Sequence, residues 1–570
     1  MIGELKACKS LYDLSDILYI PAKVLAYLLY KLPDDQKYKS FCISKKNGGK
    51  RFILAPDPRL KSLQRSLSDI LYECYEAEVR LNKGTSSFGF RRKIGIWENA
   101  DQHTGRRWVF NADLKDFFPS INFGRVRGFF ISNRAFQLDP KVATIIAQIA
   151  CFDNMLPQGA PSSPIISNLI GSSLDYRMAL FARENRCTYS RYVDDLTFST
   201  NLTEFPASIA TRMDDLQGWS IGPELQDKIE NAGFFVNHSK SRMSYRSDRQ
   251  MVTGLVSNKY PNIPSERIRL ARSAVNRLLR NKSIKIDPFC ETFKNNCEVE
   301  SDQNNALVVD QFAKLDGQMA YFYQTKDRND KRDSKKKFFA PSGIARTYRQ
   351  FLMYKYFIRG AHPILLTEGP SDIIYLKSYL RAKNINLEGL SRTDDSGDGQ
   401  VLCQFYNFPD LPGKLLGLTG GSGNIKIFIE QYKDFTRLLS KDLIRRPFII
   451  LLDNDDGIKD FLSAANTAFG QKITIDSDEE FYVLTKGLAL VKTPVIAGKS
   501  KSCIEDFFPN SVIKKELNGK KFSPNSNADP DKYFGKNALA KYVYDNKKSI
   551  NYGDFSKIVE RISNAVSELT

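Results

Sequence analysis

Two adjacent aspartates, Asp194 and Asp195, are the feature that most restricts how this chain can fold. They stand between two runs rich in β-forming residues, Arg191–Val193 and Leu196–Ser199, so the segment predicts a β-hairpin with two carboxylates at its turn. Neighbouring carboxylates repel each other, and a divalent cation would offset that repulsion. A solvated turn that carries two aspartates is the alternative, and the pair alone does not decide between them.

A third carboxylate comes from a separate strand upstream. The segment WVFNADLKDFFPSI places Asp113 at the end of an apolar strand, with Phe117 and Phe118 close behind it. One carboxylate from a first strand and a pair from a hairpin can hold two Mg²⁺ ions, which activate a primer hydroxyl and stabilise a pyrophosphate leaving group. The three aspartates together therefore favour metal-dependent phosphoryl transfer over a solvated turn.

The net charge indicates a polyanionic partner. The 84 Lys and Arg residues exceed the 65 Asp and Glu residues and give a formal charge of +19, which suits nucleic acid or an anionic membrane surface. No apolar run approaches the roughly 18 residues that span a bilayer, and the start of the chain lacks the apolar core of a signal peptide, so a cytoplasmic protein without a membrane partner is expected. The nine cysteines form no CxxC pair, which indicates reduced thiols and no zinc. Because there are only three histidines, carboxylates and metal ions are expected to carry the chemistry.

The order of patterns along the chain predicts several domains. The first 80 or so residues predict mostly helices and a basic hairpin, Ser44–Pro58, whose Asn-Gly-Gly supplies the turn. Residues 108–260 alternate short β-like and helical runs, which indicates a mixed α/β region. The segment Lys326–Lys337 has seven basic residues, three Asp and no apolar residue, so it predicts a linker. Strand, Gly turn and helix follow one another after His362 and predict a parallel α/β domain.

Five motifs in a fixed order carry a family resemblance. Between Asp113 and the hairpin lies LPQGAPSSPIISNL (Leu156–Leu169), and the three segments resemble motifs A, B and C of reverse transcriptases: a catalytic Asp followed by aromatics, LPQGxxxSP and the YxDD box. Within that family the chain resembles the retron class through Asn99-Ala100-x-x-His103 and Val252-Thr253-Gly254. Further matching segments are Ser86–Lys93, Asn237 with Lys240, and Val252–Leu255.

The resemblance implies a right-hand polymerase with fingers, palm and thumb. It makes Asp113, Asp194 and Asp195 the catalytic ligands of two Mg²⁺ ions. Basic hairpins are also common on solvated protein surfaces, and this is the alternative interpretation of Lys50 and Arg51. The substrate roles that the resemblance implies are Phe118 as the steric gate selecting deoxynucleotides, Gln158 beside the nascent base pair, Lys240 on the phosphate side, and Lys50 and Arg51 as contacts to the dNTP triphosphate.

The retron resemblance also implies an RNA partner and a DNA product. Retron enzymes copy part of a structured noncoding RNA (msr–msd) from an internal guanosine 2′-OH, and yield branched RNA-linked single-stranded DNA (msDNA). The alternative for the basic helix Ser265–Lys282 is a solvated surface helix, and the alternative for His103 is an ordinary core histidine. The implied RNA contacts are Asn99, His103, Val252, Thr253 and Gly254, and the basic helix Ser265–Lys282 with Arg269 and Arg272.

A second set of carboxylates lies beyond the predicted linker. ILLTEGPSD presents Glu368 just after an apolar strand and Asp372 at the mouth of a helix, and FIILLDNDDG ends another apolar strand on Asp453 and Asp455. In a parallel sheet the carboxyl ends of neighbouring strands converge on one crevice, which would suit Mg²⁺. Helix capping by Asp372 and a solvated acidic turn after the second strand are the plain alternatives.

This pattern resembles the Toprim domain of topoisomerases, primases and related nucleases, E-G-x-x-D followed by D-x-D. The resemblance implies that Glu368 is the catalytic acid or base and that Glu368, Asp453 and Asp455 hold one or two Mg²⁺ ions. Asp372 and Glu505 are secondary candidates for residues of the same site. The fold class is therefore predicted as α/β and α+β multidomain, a right-hand polymerase followed by a Toprim α/β domain with a mainly parallel sheet. The predicted boundaries are a reverse transcriptase over 1–325 (fingers and palm to about 260, thumb over 261–325), a charged linker over 326–343, and the Toprim region over 344–570.

The resemblances together imply a retron reverse transcriptase fused to a Toprim nuclease that acts on nucleic acid as an anti-phage effector. One alternative keeps the polymerase and makes the Toprim domain a noncatalytic scaffold for nucleic acid. Another is an RNA-binding regulator with a degenerate active site, which the three intact aspartates disfavour. The sequence leaves the oligomeric state open, and a homo-oligomer is compatible with it.

Overall fold

The chain folds into two compact units. The structure is a computed structural model. The first unit consists of Met1–Ser265 together with Thr325–Asn329. The second unit consists of the rest of the described chain from Glu266 onward. The first unit ends close to where the fingers and palm were expected to end. The residues described are 1–44, 49–81, 86–213, 218–281, 303–383, 385–395, 398–496, 498–499, 501–524 and 528–570.

Ten helices of the described chain belong to the first unit, and polar caps fix several of their starts. Ser10 and Asp13 form a capping box at α2, and Asn122 and Asp139 accept backbone N–H groups at the starts of α7 and α8. The first half of α9 is buried on nearly all sides and lies in the core. The bounds are α1 Ile2–Ala7, α2 Leu11–Ile17, α3 Ala22–Tyr30, α4 Asp34–Lys37, α5 Pro58–Leu81, α6 Ile96–Asp101, α7 Phe123–Ser132, α8 Pro140–Ala150, α9 Ser163–Glu184 and α10 Pro223–Glu230.

The main sheet of the first unit is antiparallel and has the strand order β4-β5-β3-β8, with β9 also paired to β3. The predicted hairpin is confirmed as β4 and β5, and the basic hairpin as β1 and β2, although Asn47 and Gly48 of its turn lie outside the described residues. The bounds are β1 Tyr38–Ser44, β2 Lys50–Pro56, β3 Trp108–Lys115, β4 Thr188–Tyr192, β5 Asp195–Thr200, β6 Ala210–Arg212, β7 Trp219–Ile221, β8 Phe235–Val236, β9 Arg242–Tyr245, β10 Met251–Val252 and β11 Leu255–Val256.

The helices from α11 onward belong to the second unit, except that the last residues of α12 group with the first. The predicted basic helix is confirmed as α11, which buries Ala271, Val275 and Leu278 on one face. The bounds are α11 Ser265–Leu279, α12 Gln303–Asn329, α13 Ser334–Phe339, α14 Gly343–Met353, α15 Pro370–Ala382, α16 Asp410–Leu416, α17 Ser422–Thr436, α18 Lys459–Phe469, α19 Asn510–Ile513, α20 Lys536–Asp545 and α21 Ser556–Leu569.

The segment 326–343, predicted as a linker, is largely helical. It contains the end of α12, all of α13 and the first residue of α14. Two of its charged residues are engaged locally, because Asp333 caps α13 by accepting the Lys336 N–H (2.8 Å) and Asp330 pairs with Arg332. Ser342 caps α14 in the same way.

The sheet of the second unit has the order β15-β12-β16-β18-β17 and is mostly parallel. The pairs β12–β15, β12–β16 and β16–β18 are parallel, and only β17 is antiparallel to its neighbour within this sheet. Across the described residues, no helix combines the length and apolar character needed to cross a membrane. The bounds are β12 Ile364–Leu366, β13 Ser391–Thr393, β14 Gly399–Val401, β15 Gln404–Phe405, β16 Phe448–Leu452, β17 Tyr482–Thr485, β18 Leu488–Lys492, β19 Lys521–Phe522 and β20 Tyr533–Phe534.

Candidate active sites

The strand pairing of the first unit brings the three predicted aspartates to one end of the sheet. Asp113 on β3 lies directly opposite Asp195 on β5, and the Leu114 N–H donates to the carbonyl oxygen of Asp194 (2.9 Å). The hairpin turn consists of Val193 and Asp194, and Val193 has a φ of 62°. A β-branched residue is strained at positive φ, so the surrounding contacts must hold this turn in place.

Asp113 is held by residues that follow β8. The Lys240 ammonium contacts both carboxylate oxygens of Asp113 (2.9 and 2.8 Å), and the Asn237 side chain donates to Oδ1 (3.2 Å). The Asn237 backbone N–H also donates to the Asp113 carbonyl oxygen (2.8 Å). The predicted pair Asn237 and Lys240 therefore meets motif A, and Lys240 partly neutralises the carboxylate that is buried most deeply.

The hairpin aspartates carry charge that the protein does not fully compensate. Desolvation and then the charge of Asp113 raise the pKa of Asp194. Desolvation, followed by the charges of Asp194 and Asp113, raises the pKa of Asp195 to about 6. The pKa of Lys240 is raised, because its hydrogen bond to Asp113 and the nearby carboxylates outweigh its desolvation. Carboxylates that resist ionisation together are the environment in which a cation binds favourably.

A cavity of about 930 Å³ opens beside these carboxylates and brings together the predicted substrate residues. Gln158 is tied to the fingers hairpin, because the Leu54 N–H donates to its carbonyl oxygen (2.8 Å). Gly159 has a φ of 126°, and a Cβ there would lie 2.6 Å from the Leu54 carbonyl oxygen, so only glycine permits this approach. The lining includes Lys50, Arg51, Asp113, Phe118, Gln158, Asp194, Asn237 and Lys240.

A buried ion pair that the sequence reading missed fixes the hairpin. Arg191 is fully buried and donates through Nε and Nη2 to the two carboxylate oxygens of Asp175 on α9 (2.7 Å each). Its Nη1 donates to the Val193 carbonyl oxygen (3.0 Å) and thereby holds the strained turn. A Cβ at Gly171 would lie 2.7 Å from Nη2, so α9 needs glycine where the guanidinium passes. The sequence signal for this pair was Arg191, a charged residue inside a β-like run, but no local pattern identified Asp175 as its partner.

The residues assigned to RNA by the retron signature form a buried hydrogen-bond chain. The two ring nitrogens of His103 contact the hydroxyls of Ser199 and Ser190 (2.7 Å each), and Ser190 donates to the Asn99 side chain (2.6 Å). Asn99 in turn contacts the Thr253 hydroxyl (3.5 Å).

Burial decides which of these residues a ligand could touch. The side chains of Asn99, His103 and Val252 are at most 1% exposed and have no surface to present to RNA in this structure. Thr253 and Gly254 both have positive φ and form the two-residue turn between β10 and β11, and that turn is more exposed.

Comparison with known proteins places the first unit in a family. A sequence profile described as Reverse transcriptase (RNA-dependent DNA polymerase) matches residues 43–285. The retron Ec86 reverse transcriptase of Escherichia coli is 32% identical over 312 residues, which cover 54% of this chain and 89% of that protein. The chain belongs to the retron reverse transcriptases. The retron Mx162 reverse transcriptase of Myxococcus xanthus is 32% identical over 266 residues, which cover 43% of this chain and 53% of that protein.

As a retron reverse transcriptase the chain is an RNA-directed DNA polymerase, and reverse transcriptases generally use Mg²⁺ at a two-metal site. A solved telomerase from Candida albicans, in complex with a fragment of telomeric RNA, is similar over 60% of this chain and 68% of its own, with a TM-score of 0.30 and 11% identity. That similarity is too low to support an argument about the fold. The profile ends at residue 285, so it does not extend to the carboxylates of the second unit.

The retron reverse transcriptase carries a second carboxylate centre at the carboxyl ends of two neighbouring parallel strands. Glu368 follows β12 and Asp453 follows β16, and these strands pair in parallel with Leu366 opposite Ile450. The Ile504 backbone N–H donates to Asp453 Oδ1 (2.8 Å). Burial, then the charges of Asp372 and Glu505, raise the pKa of Asp453 well above its ordinary value. The strand pairing therefore brings Glu368 and Asp453 to the same edge of the sheet, where they were expected to converge.

Three further residues complete this centre or surround it. Asp372 caps α15 by accepting the Gly369 N–H (3.0 Å), and burial followed by the charge of Glu505 raises its pKa to about 6. Glu505 is 2% exposed, and Lys536 at the start of α20 lies 3.1 Å from its Oε2 and 4.0 Å from Asp453 Oδ2. The sequence reading missed Lys536, because it lies in a segment without a recognisable motif.

Other predicted residues of the second unit are engaged locally. Asp455 accepts the Gly457 N–H (2.8 Å) and begins a short 3-10 turn. The Gly421 N–H, just before α17, donates to the Glu368 carbonyl oxygen (3.0 Å). Within the described ranges, no group of three or more His, Cys, Asp or Glu side chains is already arranged to enclose a metal ion. Instead, a lysine side chain contacts carboxylates in each of the two centres.

Removing one partner of the buried Arg191–Asp175 pair is predicted to destabilise the first unit. Arg191→Met leaves Asp175 buried without compensation and should lower the free energy of unfolding by about 3–5 kcal/mol. Arg92→Met is the matched control, because the Arg92–Asp69 pair is exposed and should change stability by about 1 kcal/mol or less. Urea denaturation followed by tryptophan fluorescence reports this unit alone, because the three tryptophans are Trp97, Trp108 and Trp219. Equal losses in the two variants would contradict the assignment.

The burial of His103 predicts a pH-dependent stability. Desolvation and then the charge of Arg106 lower the pKa of His103 to about 3, so the folded state keeps it neutral while the unfolded chain protonates it below about pH 6.5. Unfolding is therefore favoured as the pH falls, and His103 should account for about 2 kcal/mol of lost stability between pH 6.5 and 5. Tryptophan-monitored denaturation should show that loss in the wild type and in the exposed control His238→Gln, and less of it in His103→Gln. The same pH dependence in both variants would refute the prediction.

Proposed function

We propose that the first unit copies a structured noncoding RNA into RNA-linked single-stranded DNA, with Asp113, Asp194 and Asp195 as its catalytic carboxylates. The observation that carries this proposal is the strand register, which sets Asp113 opposite Asp195 and binds Asp194 to β3. The cavity beside them contains the other residues that a polymerase of this family is expected to use. A regulator that only binds RNA would not need three carboxylates at one sheet end.

The donor set fits Mg²⁺ by its chemistry. The carboxylates are hard oxygen ligands, and the raised pKa values of Asp194 and Asp195 show that their negative charges are incompletely balanced. When bound there, Mg²⁺ would supply activation of the primer hydroxyl and stabilisation of the pyrophosphate leaving group. Lys240 contacts both oxygens of Asp113, and each oxygen keeps a second lone pair with which it can bind the metal ion.

The remaining cavity residues have roles that follow from their positions. Lys240, once released from Asp113, can bind a phosphate of the incoming nucleotide, and Arg51 on the fingers hairpin can bind the triphosphate. Phe118 is half-buried, contacts Phe117 and Phe90, and can exclude a ribose 2′-OH by its bulk. Gln158, held by Leu54, can line the nascent base pair.

RNA recognition is proposed for two surfaces. Arg269 and Arg272 are exposed on α11, where they can contact phosphates of the msr–msd RNA. Asn99 and His103 are buried, so we assign them the positioning of the Thr253–Gly254 turn rather than direct contact. The msDNA product would remain bound to the same protein.

For residues 344–570, within the second unit, we propose a Toprim domain that cleaves phosphodiesters with Mg²⁺ and acts as the effector in anti-phage defence. The supporting observation is the pairing of β12 with β16, which places Glu368 and Asp453 at the same sheet edge with Glu505 nearby. Glu505 Oε1 and the amide oxygen of Asn454 are buried without a hydrogen bond, which fits a site built for a cation. Lys536 is placed to contact a substrate phosphate when released from Glu505.

A noncatalytic scaffold is the second candidate for this unit, and the lysine contact specifically favours it. An ammonium group that permanently neutralises Glu505 and Asp453 would stabilise the fold without a metal ion. The Asp455 carboxylate, which caps its own turn, is consistent with this alternative. Metal-dependent cleavage separates the two candidates.

Polymerisation is predicted to depend on the hairpin carboxylates. Asp194→Asn should reduce incorporation of labelled dNTPs on an RNA template by roughly a hundredfold or more, because one charged metal ligand is lost. Asp101→Asn, which changes an exposed aspartate on α6, should incorporate at the wild-type rate. Unchanged incorporation by Asp194→Asn would refute the assignment of the metal ligands.

Nuclease activity is predicted to depend on the second centre alone. In the full chain carrying Asp194→Asn, Mg²⁺-dependent cleavage of labelled RNA or DNA should be lost on adding Asp453→Asn or Glu505→Gln, because each removes a buried charge from the centre. Asp434→Asn, at an exposed position of α17, should leave cleavage unchanged. If Glu368→Ala and Asp453→Ala proteins remained as toxic and as protective in cells as the wild type, the effector role would be excluded.

A further inference from the structure

A second cavity of the first unit combines exposed tyrosines with unpaired cations. It has a volume of about 500 Å³ and lies between the starts of α2 and α8, the end of α3 and helix α7. None of its lining residues also lines the cavity beside Asp113. We call the following five lining residues the tyrosine–cation surface: Lys9, Tyr12, Tyr30, Arg127 and Lys141.

The aromatic rings of this surface are accessible to a ligand. Tyr12 is 72% exposed and Tyr30 is 56% exposed, although both lie on helices whose other faces are buried in the core. The Tyr30 hydroxyl donates to the Gln148 side chain (3.2 Å), which restricts the ring while leaving its face in solvent. Large aromatic side chains that are exposed and oriented in this way provide platforms on which flat groups can stack.

The residues that line this cavity include three cations and no carboxylate. Within the described part of the chain, Lys9, Arg127 and Lys141 take part in no ion pair. Arg127 donates through Nε to the Thr144 hydroxyl (2.8 Å), which orients the guanidinium without neutralising it.

Two carboxylates at the starts of α2 and α8 accept backbone N–H groups. Asp13 accepts the N–H groups of Lys9 and Ser10 (2.8 and 2.9 Å), and Asp139 accepts that of Lys141 (2.9 Å). These carboxylates cap α2 and α8, so their hydrogen bonds hold the surface in shape. The three cations remain available for an anionic ligand.

We propose that the tyrosine–cation surface binds single-stranded nucleic acid, with unpaired bases stacked on Tyr12 and Tyr30 and phosphates contacted by Lys9, Arg127 and Lys141. Aromatic rings beside cations are the combination by which proteins hold single strands, because every unpaired base has a face that stacks. A duplex hides its bases and would use the cations alone. A protein partner could use the tyrosines, but three cations on a lining without carboxylates favour a polyanion. The surface is separate from the polymerase cavity, so it adds a function to the one proposed above and does not depend on it.

The test uses the full-length protein with the polymerase cavity filled by an unlabelled RNA hairpin primer–template. Fluorescence anisotropy then measures the binding of labelled oligouridylate or oligothymidylate of about 12 nucleotides. Tyr12→Ala/Tyr30→Ala should weaken this binding about tenfold or more, through loss of stacking. Tyr12→Phe/Tyr30→Phe, which keeps the rings, and Tyr176→Ala, which removes a tyrosine that is 69% exposed elsewhere in the unit, should bind as the wild type does.

The charge contribution is measured through salt dependence. Lys9→Glu/Lys141→Glu should reduce the slope of log affinity against log salt by about 0.7 for each phosphate that the two lysines neutralise in the wild type. Extension of the hairpin primer should be unchanged in all of these variants, which also shows that they are folded. A stronger effect on oligouridylate would identify RNA as the source of the strand, and a stronger effect on oligothymidylate would identify the DNA product.

Wild-type affinity of Tyr12→Ala/Tyr30→Ala for both oligonucleotides would overturn the proposal and leave the surface to a protein partner. An unchanged salt slope in Lys9→Glu/Lys141→Glu would also overturn it, because it would mean that these lysines bind no phosphate. Neither result would bear on the polymerase assignment, since primer extension is measured separately in the same proteins.

Discussion

The geometry of the polymerase centre depends on one buried ion pair. Arg191 precedes the hairpin turn and binds both oxygens of Asp175, while its remaining amino group holds the Val193 carbonyl oxygen. The Arg191 guanidinium, which Asp175 on α9 holds in place, stabilises the strained φ of Val193. It thereby also fixes the position of Asp194. Because removing one partner of a buried pair costs more than the intact pair adds to stability, this arrangement fixes the position of the hairpin more than it stabilises the fold.

Both carboxylate centres use the same physical solution to the repulsion between buried acids. In each, carboxylates collect at strand ends, where burial and the charges of neighbouring carboxylates raise the pKa of Asp195 in one centre and of Asp453 in the other. A lysine from later in the chain contacts carboxylates of each centre. Lys240 contacts Asp113, and Lys536 lies beside Glu505 and Asp453. A lysine of this kind can stabilise the centre before a metal ion or a phosphate arrives, and can then exchange its partner.

The sequence predicted those parts of the molecule whose signal is local. The hairpin at Asp194 and Asp195, the strand bearing Asp113 and the helix α11 follow from short periodic runs, and the structure contains all three. The partners Asp175 and Lys536 could not be predicted, because their roles come from tertiary contacts that no local pattern encodes. The helices inside the predicted linker were missed for a related reason, since composition indicates hydration but not the capping bond from Asp333.

Binding of Mn²⁺ to the full-length protein, followed by electron paramagnetic resonance of the free ion, tests most directly whether the chain carries two separate carboxylate centres. The account predicts two independent classes of bound Mn²⁺, one abolished by Asp113→Asn and the other by Asp453→Asn, with each variant keeping the class that the other loses. A binding isotherm that neither substitution changes would contradict it.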